Sequence, residues 1–397
     1  MPFFDDLELL PDDPILSIPI AFAADPRPEK VNLGIGAYKT AEGLPLVLTS
    51  VKKAEVQIIQ KNLNKEYLPI EGDAEFLNYG LQLLFGASLY QKLAPHLFAT
   101  QTVGDSGALR IAGEFFARNI SRTIFLSQPS WTNHKLIFER SGLNVGSYPY
   151  YDSVSHRFDI DGMSAAIQNM PPGSILLLQG CCHNPSGVDP SIEEWKELSP
   201  LVKKQNLIPF FDLAYQGFGE SLDKDAEPIR YFAEQGHEMV VCYSFSKNFG
   251  LYGERVGFLS ILADHPASIP KIASQIKTTI RSNYSNPPLH GVRIVKTILK
   301  SPELSAEWKI ELENMRDRIC EMRKALVAAL LVKEHGRDFS FLLQQRGLFS
   351  FSGLNPEQTQ RLREEKGIYM PQNGRINVAG LNTQNLEYVA ESIISVI

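Results

Sequence analysis

The sequence predicts an α/β protein whose main part is a largely parallel sheet held between helices. Two patterns predict it. Between about residues 98 and 262, short apolar runs (123–126, 175–178, 208–211, 239–242 and 256–262) alternate with amphipathic stretches, as strands and covering helices do when both sheet faces are buried. From Trp308 the apolar positions Leu312, Met315, Ile319, Met322, Leu326 and Leu330 recur at steps of four and three, which predicts one long helix with a single buried stripe. Two apolar runs split by Gly347, the stretch 374–379 and an amphipathic helix from about Thr383 complete a separate, smaller α+β unit.

Composition supports a compact chain. Its 397 residues are enough for two or three domains, and 44% hydrophobic with 21% charged residues is ordinary for a globular protein. Lys plus Arg total 39 against 45 acidic residues, a net charge of -6, so no general basic field exists to hold nucleic acid. The longest apolar run, Ala325–Val332, has eight residues, far below the ~20 that span a bilayer. Asp5, Asp6, Glu8, Asp12 and Asp13 make the N-terminal segment acidic, unlike a secretory signal, so a cytoplasmic protein is expected. Cys181, Cys182, Cys242 and Cys320 are too few for a disulfide framework and are expected to be buried thiols. No internal repeat stands out.

The most informative stretch is 244–257, SFSKNFGLYGERVG, between two expected strands. A lysine attacks carbonyls only when unprotonated, and partial burial or nearby cationic charge favours that state. Lys247 follows an apolar run and precedes a Gly-rich turn, with Arg255 close in sequence. Ser244, Ser246 and Arg255 are the groups a phosphate needs: two hydroxyl donors and a planar cation. Taken alone, Lys247 would be a loop lysine in solvent.

At every constrained position this segment, however, fits the lysine motif of the class I pyridoxal-phosphate aminotransferases, and the chain resembles the aspartate and aromatic amino acid aminotransferases nearly end to end. The resemblance implies a fold type I transferase with a mainly parallel seven-stranded sheet in a large cofactor-binding domain, residues 46–314. The N-terminal arm and small domain would be residues 1–45 and 315–397. It implies pyridoxal 5′-phosphate joined to Lys247, the catalytic base.

Other motifs gain roles from the same resemblance. Asp212, directly after an apolar run, is by chemistry either a helix cap or the partner of a buried cation; by resemblance it pairs with the cofactor's ring nitrogen. Tyr215 and Asn184 would reach the 3′ oxygen, Asn184 also the substrate carboxylate, and Trp131, otherwise a core residue, would stack on the ring. His134 would tune Asp212. Gly104, Asp105 and Ser106 open an amphipathic helix whose free N–H groups suit phosphate. Asp105 departs from the small residue usual there and is expected to face solvent or cap the helix; Gln179 and Gly253 are milder departures. A serine hydrolase reading of the GDSG letters lacks a base, an orienting acid and a nucleophile elbow. A metal site at Cys181 and His183 lacks further ligands, with Cys182 expected on the opposite strand face, so no metal is expected.

For substrates, the resemblance gives Arg375 the α-carboxylate and Arg281 the distal carboxylate, two anions that planar guanidinium groups bind in forks. Arg281 and Tyr67 would both come from the neighbouring subunit of a homodimer with shared sites, and Ile35 and Gly36 would line the mouth. Gly34-x-Gly36 is no dinucleotide fingerprint, lacking the third glycine and the following helix. The implied reaction is ping-pong transfer of an amino group between an L-amino acid and a 2-oxo acid such as 2-oxoglutarate. Aspartate is the favoured donor, with tyrosine or phenylalanine as the alternative. A lyase or decarboxylase on the same fold, or a non-catalytic cofactor-binding regulator, stays open.

Overall fold

The computed structural model describes residues 3–332 and 336–397. Seven strands form the central sheet: β1 (Leu97–Val103), β2 (Thr123–Gln128), β3 (Asn144–Pro149), β4 (Ile175–Gln179), β5 (Ile208–Leu213), β6 (Met239–Ser244) and β7 (Val256–Leu262). Their spatial order is β1-β7-β6-β5-β4-β2-β3. Only β7 runs against its neighbours; the pairs β6/β5, β5/β4, β4/β2 and β2/β3 are parallel. Alternate residues feed two apolar layers: Ile175, Leu177 and Phe210 pack on one face, Leu176, Leu178 and Phe211 on the other.

The five apolar runs read from sequence are all strands, each starting at the expected residue. The two outer strands β1 and β3 gave weaker signals. β1 carries three polar residues, Thr100, Gln101 and Thr102, that are buried here, and β3 contains Gly146 and Pro149 at an edge paired on one side only.

Helices α1 (Gly104–Asn119), α2 (Thr132–Arg140), α3 (Ile192–Lys204) and α4 (Ile269–Asn283) belong to this part. The expected long helix is α5 (Pro302–Leu331), with Ser301 capping its first turn. Its stripe is buried except for Met322, which is half-buried; the neighbouring Arg323 goes inside instead, donating to the carbonyl of Gly347 at 2.5 Å and to Ser350 Oγ at 3.2 Å. Trp308 on α5 stacks on Phe249 at 4.3 Å and donates to the Asn248 carbonyl at 2.7 Å, tying the helix to the lysine loop.

The smaller α+β part carries an antiparallel pair, β8 (Phe349–Phe351) with β9 (Arg375–Asn377), and the helices α6 (Pro356–Lys366) and α7 (Leu386–Ile394). The first run after α5 forms only a 3-10 turn, Ser340–Gln344. A short parallel pair, Val31–Asn32 with Ile368–Tyr369, joins the N-terminal segment to this part. No described helix is long and apolar enough to cross a membrane.

Candidate active site

The ends of β5 and β6 and the start of α1 converge on one cavity of about 130 Å³, lined by Lys247, Asp212, Tyr215, Asn184, Trp131, Asp105, Arg375 and Gly36 among others. Placement beyond the C-terminal ends of parallel strands is where open α/β sheets build their sites. Larger cavities exist elsewhere, one of about 460 Å³ between α5 and the helix Ala74–Phe85, but it holds no comparable cluster of reactive groups.

Lys247 leaves β6 through Ser244-Phe245-Ser246, and its Nζ lies 4.9 Å over the Tyr215 ring. Burial pushes its amine below the ordinary value; Asp105 and Asp212 pull it up again, while Arg255 and Arg375 push it down. Asp212 is buried at the end of β5. Its Oδ2 lies 2.8 Å from His134 Nε2, and His134 Nδ1 lies 2.9 Å from Ser130 Oγ. One tautomer, protonated at Nε2, satisfies both contacts. Oδ1 of Asp212 is buried without a donor. Asp212 is therefore not a helix cap, and His134 takes the place beside it that the sequence suggested.

At the opposite end, Gly104 opens α1 with φ +63°, and a Cβ there would stand 2.4 Å from Arg255 Nη2. Arg255 Nη1 donates to Ser246 Oγ at 3.2 Å and to the Tyr252 carbonyl at 3.1 Å, while the Ser246 N–H donates to Ser244 Oγ at 3.2 Å. A helix start, the hydroxyls of Ser244 and Ser246 and a guanidinium so arranged make an anion cradle.

Arg375 is only 3% exposed. It donates to Asn184 Oδ1 at 3.0 Å and to the Gly34 carbonyl at 2.6 Å, lies 4.1 Å over Phe349, and leaves Nε without an acceptor. Burial pushes its guanidinium down to about 10. A buried cation with neutral partners and a spare N–H is built for a carboxylate. Asn184 is fixed by Gln179, which both accepts from its N–H at 2.8 Å and donates to its carbonyl at 3.0 Å. Gln179 therefore positions Asn184, a role the sequence did not reveal. Burial raises the Tyr215 hydroxyl above its ordinary range.

Three expectations are corrected. Asp105 neither faces solvent nor caps α1: it is buried in the cavity wall, and Val103 stands at the cap position. Cys320 is half-buried, not buried. Cys181 and Cys182 lie beyond β4 in a turn where Cys182 has φ +52°, so strand-face alternation does not apply; both sulfurs lie within 4.8 Å of each other and of an Asp225 oxygen. Asp225 already accepts the N–H groups of Gly217, Gly219 and Glu220. His183 instead bonds Ser127 and Ser186.

Tyr67 is 88% exposed and Arg281, near the end of α4, is exposed with a hydrogen bond to Ser285. Within one chain neither lines the cavity. Ile35 is half-buried and gives its carbonyl to Asn377 Nδ2 at 2.6 Å. Ile15 and Phe349, not expected from sequence, and Ala214 also line it.

The family described as "Aminotransferase class I and II" matches residues 28–393. The chain belongs to the class I and II aminotransferases. This aminotransferase is 45% identical over 395 residues to the aspartate aminotransferase of Escherichia coli K12, covering 99% of this chain and all of that one. It superposes with a TM-score of 0.96 on an aromatic-amino-acid aminotransferase of Burkholderia pseudomallei covalently bound to pyridoxal phosphate, 46% identical with full coverage of both chains. The cytoplasmic aspartate aminotransferase of Saccharomyces cerevisiae gives a TM-score of 0.96 at 38% identity, covering 99% of this chain and 98% of that one.

Proposed function

We propose that this aminotransferase moves the amino group of L-aspartate to 2-oxoglutarate in a ping-pong cycle that uses pyridoxal 5′-phosphate. The carrying observation is a buried lysine whose amine shares one cavity with an acid on one side and a carboxylate-ready arginine on the other. The residues fit the cofactor: Oδ1 of Asp212 is an unsatisfied acceptor for a ring N–H, and Gly104, lacking a Cβ, lets the Arg255 guanidinium lie against the start of α1. When bound, the cofactor supplies an aldehyde that carries the amino group and a protonated ring that withdraws electrons from the substrate Cα.

The chain's own residues do the rest. Lys247 would anchor the cofactor and then, its amine's proton affinity lowered by burial, carry the proton from the substrate Cα to the cofactor's C4′. Asp212, oriented by His134, holds the ring nitrogen. Ser106, Ser244, Ser246, Arg255 and the first N–H groups of α1 hold the phosphate. Arg375 and Asn184 fix the α-carboxylate so that the Cα–H bond faces Lys247. Tyr215 would donate to the cofactor's 3′ oxygen and Trp131 would pack on its ring.

In the same reading, two chains form a homodimer in which Tyr67 and Arg281 complete the neighbour's site, Tyr67 at the phosphate and Arg281 at the distal carboxylate. Their exposure in the single chain supports this. So do the exposed apolar side chains Phe3, Phe4, Leu7, Leu9 and Leu10 of the N-terminal arm. We further assign residues 46–314 to the cofactor-binding domain and 1–45 with 315–397 to the arm and small domain, with α5 running through both. Four free cysteines suit a reducing cytoplasm.

An aromatic donor is the second reading, favoured by the similarity to aromatic aminotransferases such as that of Psychrobacter sp. B6, at 42% identity and a TM-score of 0.96. Visible spectra of the holoenzyme before and after L-aspartate, L-glutamate or L-tyrosine distinguish them. The reading expects aspartate and glutamate to convert the absorption band at lower concentration than tyrosine; the reverse order assigns the aromatic activity, and no conversion contradicts both.

A further inference from the structure

One acid in the cavity has no task in the reading above. Asp105 opens α1 directly after Gly104, is 7% exposed, and lies on the wall shared with Lys247 and Asp212. Its Oδ1 has no donor, and neither has Oδ1 of Asp212, yet the two carboxyls lie within hydrogen-bonding reach of each other. Two buried acceptors in contact are costly unless something donates, and one proton held between them satisfies both.

The surroundings decide where that proton sits. Lys247 from the loop after β6 and Arg255 at the foot of β7 favour an ionised Asp105; burial and the neighbouring Asp212 on β5 oppose it and together push its carboxyl well above the ordinary range. Cys242 on β6 and Tyr215 after β5 also face it, and both are raised by burial and by the two acids. His134 on α2 already donates to the other oxygen of Asp212.

We infer that Asp105 is an internal competitor for the cofactor: as a neutral acid it donates to Oδ1 of Asp212, the one oxygen that His134 leaves for a ring nitrogen, and it withdraws when the cofactor is seated. The inference rests on the function proposed above. Removing the carboxyl frees Oδ1 of Asp212 for the ring nitrogen. Loss of Asp105 therefore tightens cofactor binding.

The test is titration of the full-length apoenzyme with pyridoxal 5′-phosphate, followed by visible absorbance, together with the infrared spectrum of the same protein. Asp105→Ala and Asp105→Gly are expected to bind at least about tenfold tighter than wild type, while Asp105→Asn, whose amide still donates to Asp212, stays within about threefold. The wild-type apoenzyme should show the C=O stretch of a protonated carboxyl that disappears in Asp105→Asn and shifts in frequency on adding the cofactor. Equal or weaker binding by the Ala and Gly variants, or no such band in wild type, overturns the inference. A wild-type apoenzyme that takes up no cofactor contradicts the proposed function instead.

Discussion

Nε2 of His134 lies 2.8 Å from Oδ2 of Asp212, deep between the sheet and α2. The imidazole is fully buried and packs its ring against Phe138, so it cannot swing away. It fixes which carboxylate oxygen is occupied and which remains. In His134→Ala, Asp212 loses its donor and its orientation. The expected result is a kcat lower by about tenfold, of the order one charged hydrogen bond contributes, with little change in substrate KM, measured by steady-state kinetics with aspartate.

Arg375 makes a different kind of contact. Its buried guanidinium keeps Nε free while Asn184 and Gly34 hold the other two nitrogens. Arg375→Lys keeps the charge but loses the fork. It should lower kcat/KM by about a hundredfold or more for aspartate, glutamate and tyrosine alike, since all three share the α-carboxylate.

Arg281 should discriminate among the same donors. If it binds only the distal carboxylate, Arg281→Ala lowers kcat/KM for aspartate by about a hundredfold and leaves tyrosine within about tenfold. Mixing inactive Lys247→Ala with Arg281→Ala subunits should restore some aspartate activity, because a hybrid dimer has one site with both residues intact. Absence of recovery would place Arg281 in its own chain's site.

The Gly104 cradle predicts a local cost. At φ +63° and with a Cβ placed 2.4 Å from Arg255 Nη2, Gly104→Ala strains the backbone by about 1–3 kcal/mol and displaces the guanidinium. Calorimetry should show a lower Tm, and equilibrium dialysis a faster loss of cofactor.

Acid stability follows from His237, buried against Ser199 Oγ at 2.8 Å. Burial, with a contribution from Lys203, holds its imidazole down to about 4, against about 6.5 in the unfolded chain. Between these values the unfolded chain binds a proton that the folded chain refuses, so stability is full above 6.5 and falls as the pH drops toward 4. The loss is on the order of 3 kcal/mol. His237→Gln should show a shallower decline of Tm between pH 7 and pH 4.5.

What could be read from the sequence depended on how locally each feature is encoded. The strands β4 to β7 are continuous apolar runs because both faces are covered, and Lys247, Ser246 and Arg255 sit in one unbroken segment. Asp105 could not be placed: a carboxylate at a helix start normally caps or meets water, and only the tertiary fold shows that α1 begins inside the cavity. Gln179 was visible as a departure, but its double bond to Asn184 depends on the turn between them. Arg323 broke the α5 pattern because its partners, Gly347 and Ser350, come from the segment around β8.

The covalent role of Lys247 is tested most directly by reducing the holoenzyme with borohydride, digesting it and locating the cofactor-derived mass by peptide sequencing. The account predicts one modified residue, Lys247, and no modification in Lys247→Ala. A tag on any other lysine, or none in the wild-type protein, contradicts it.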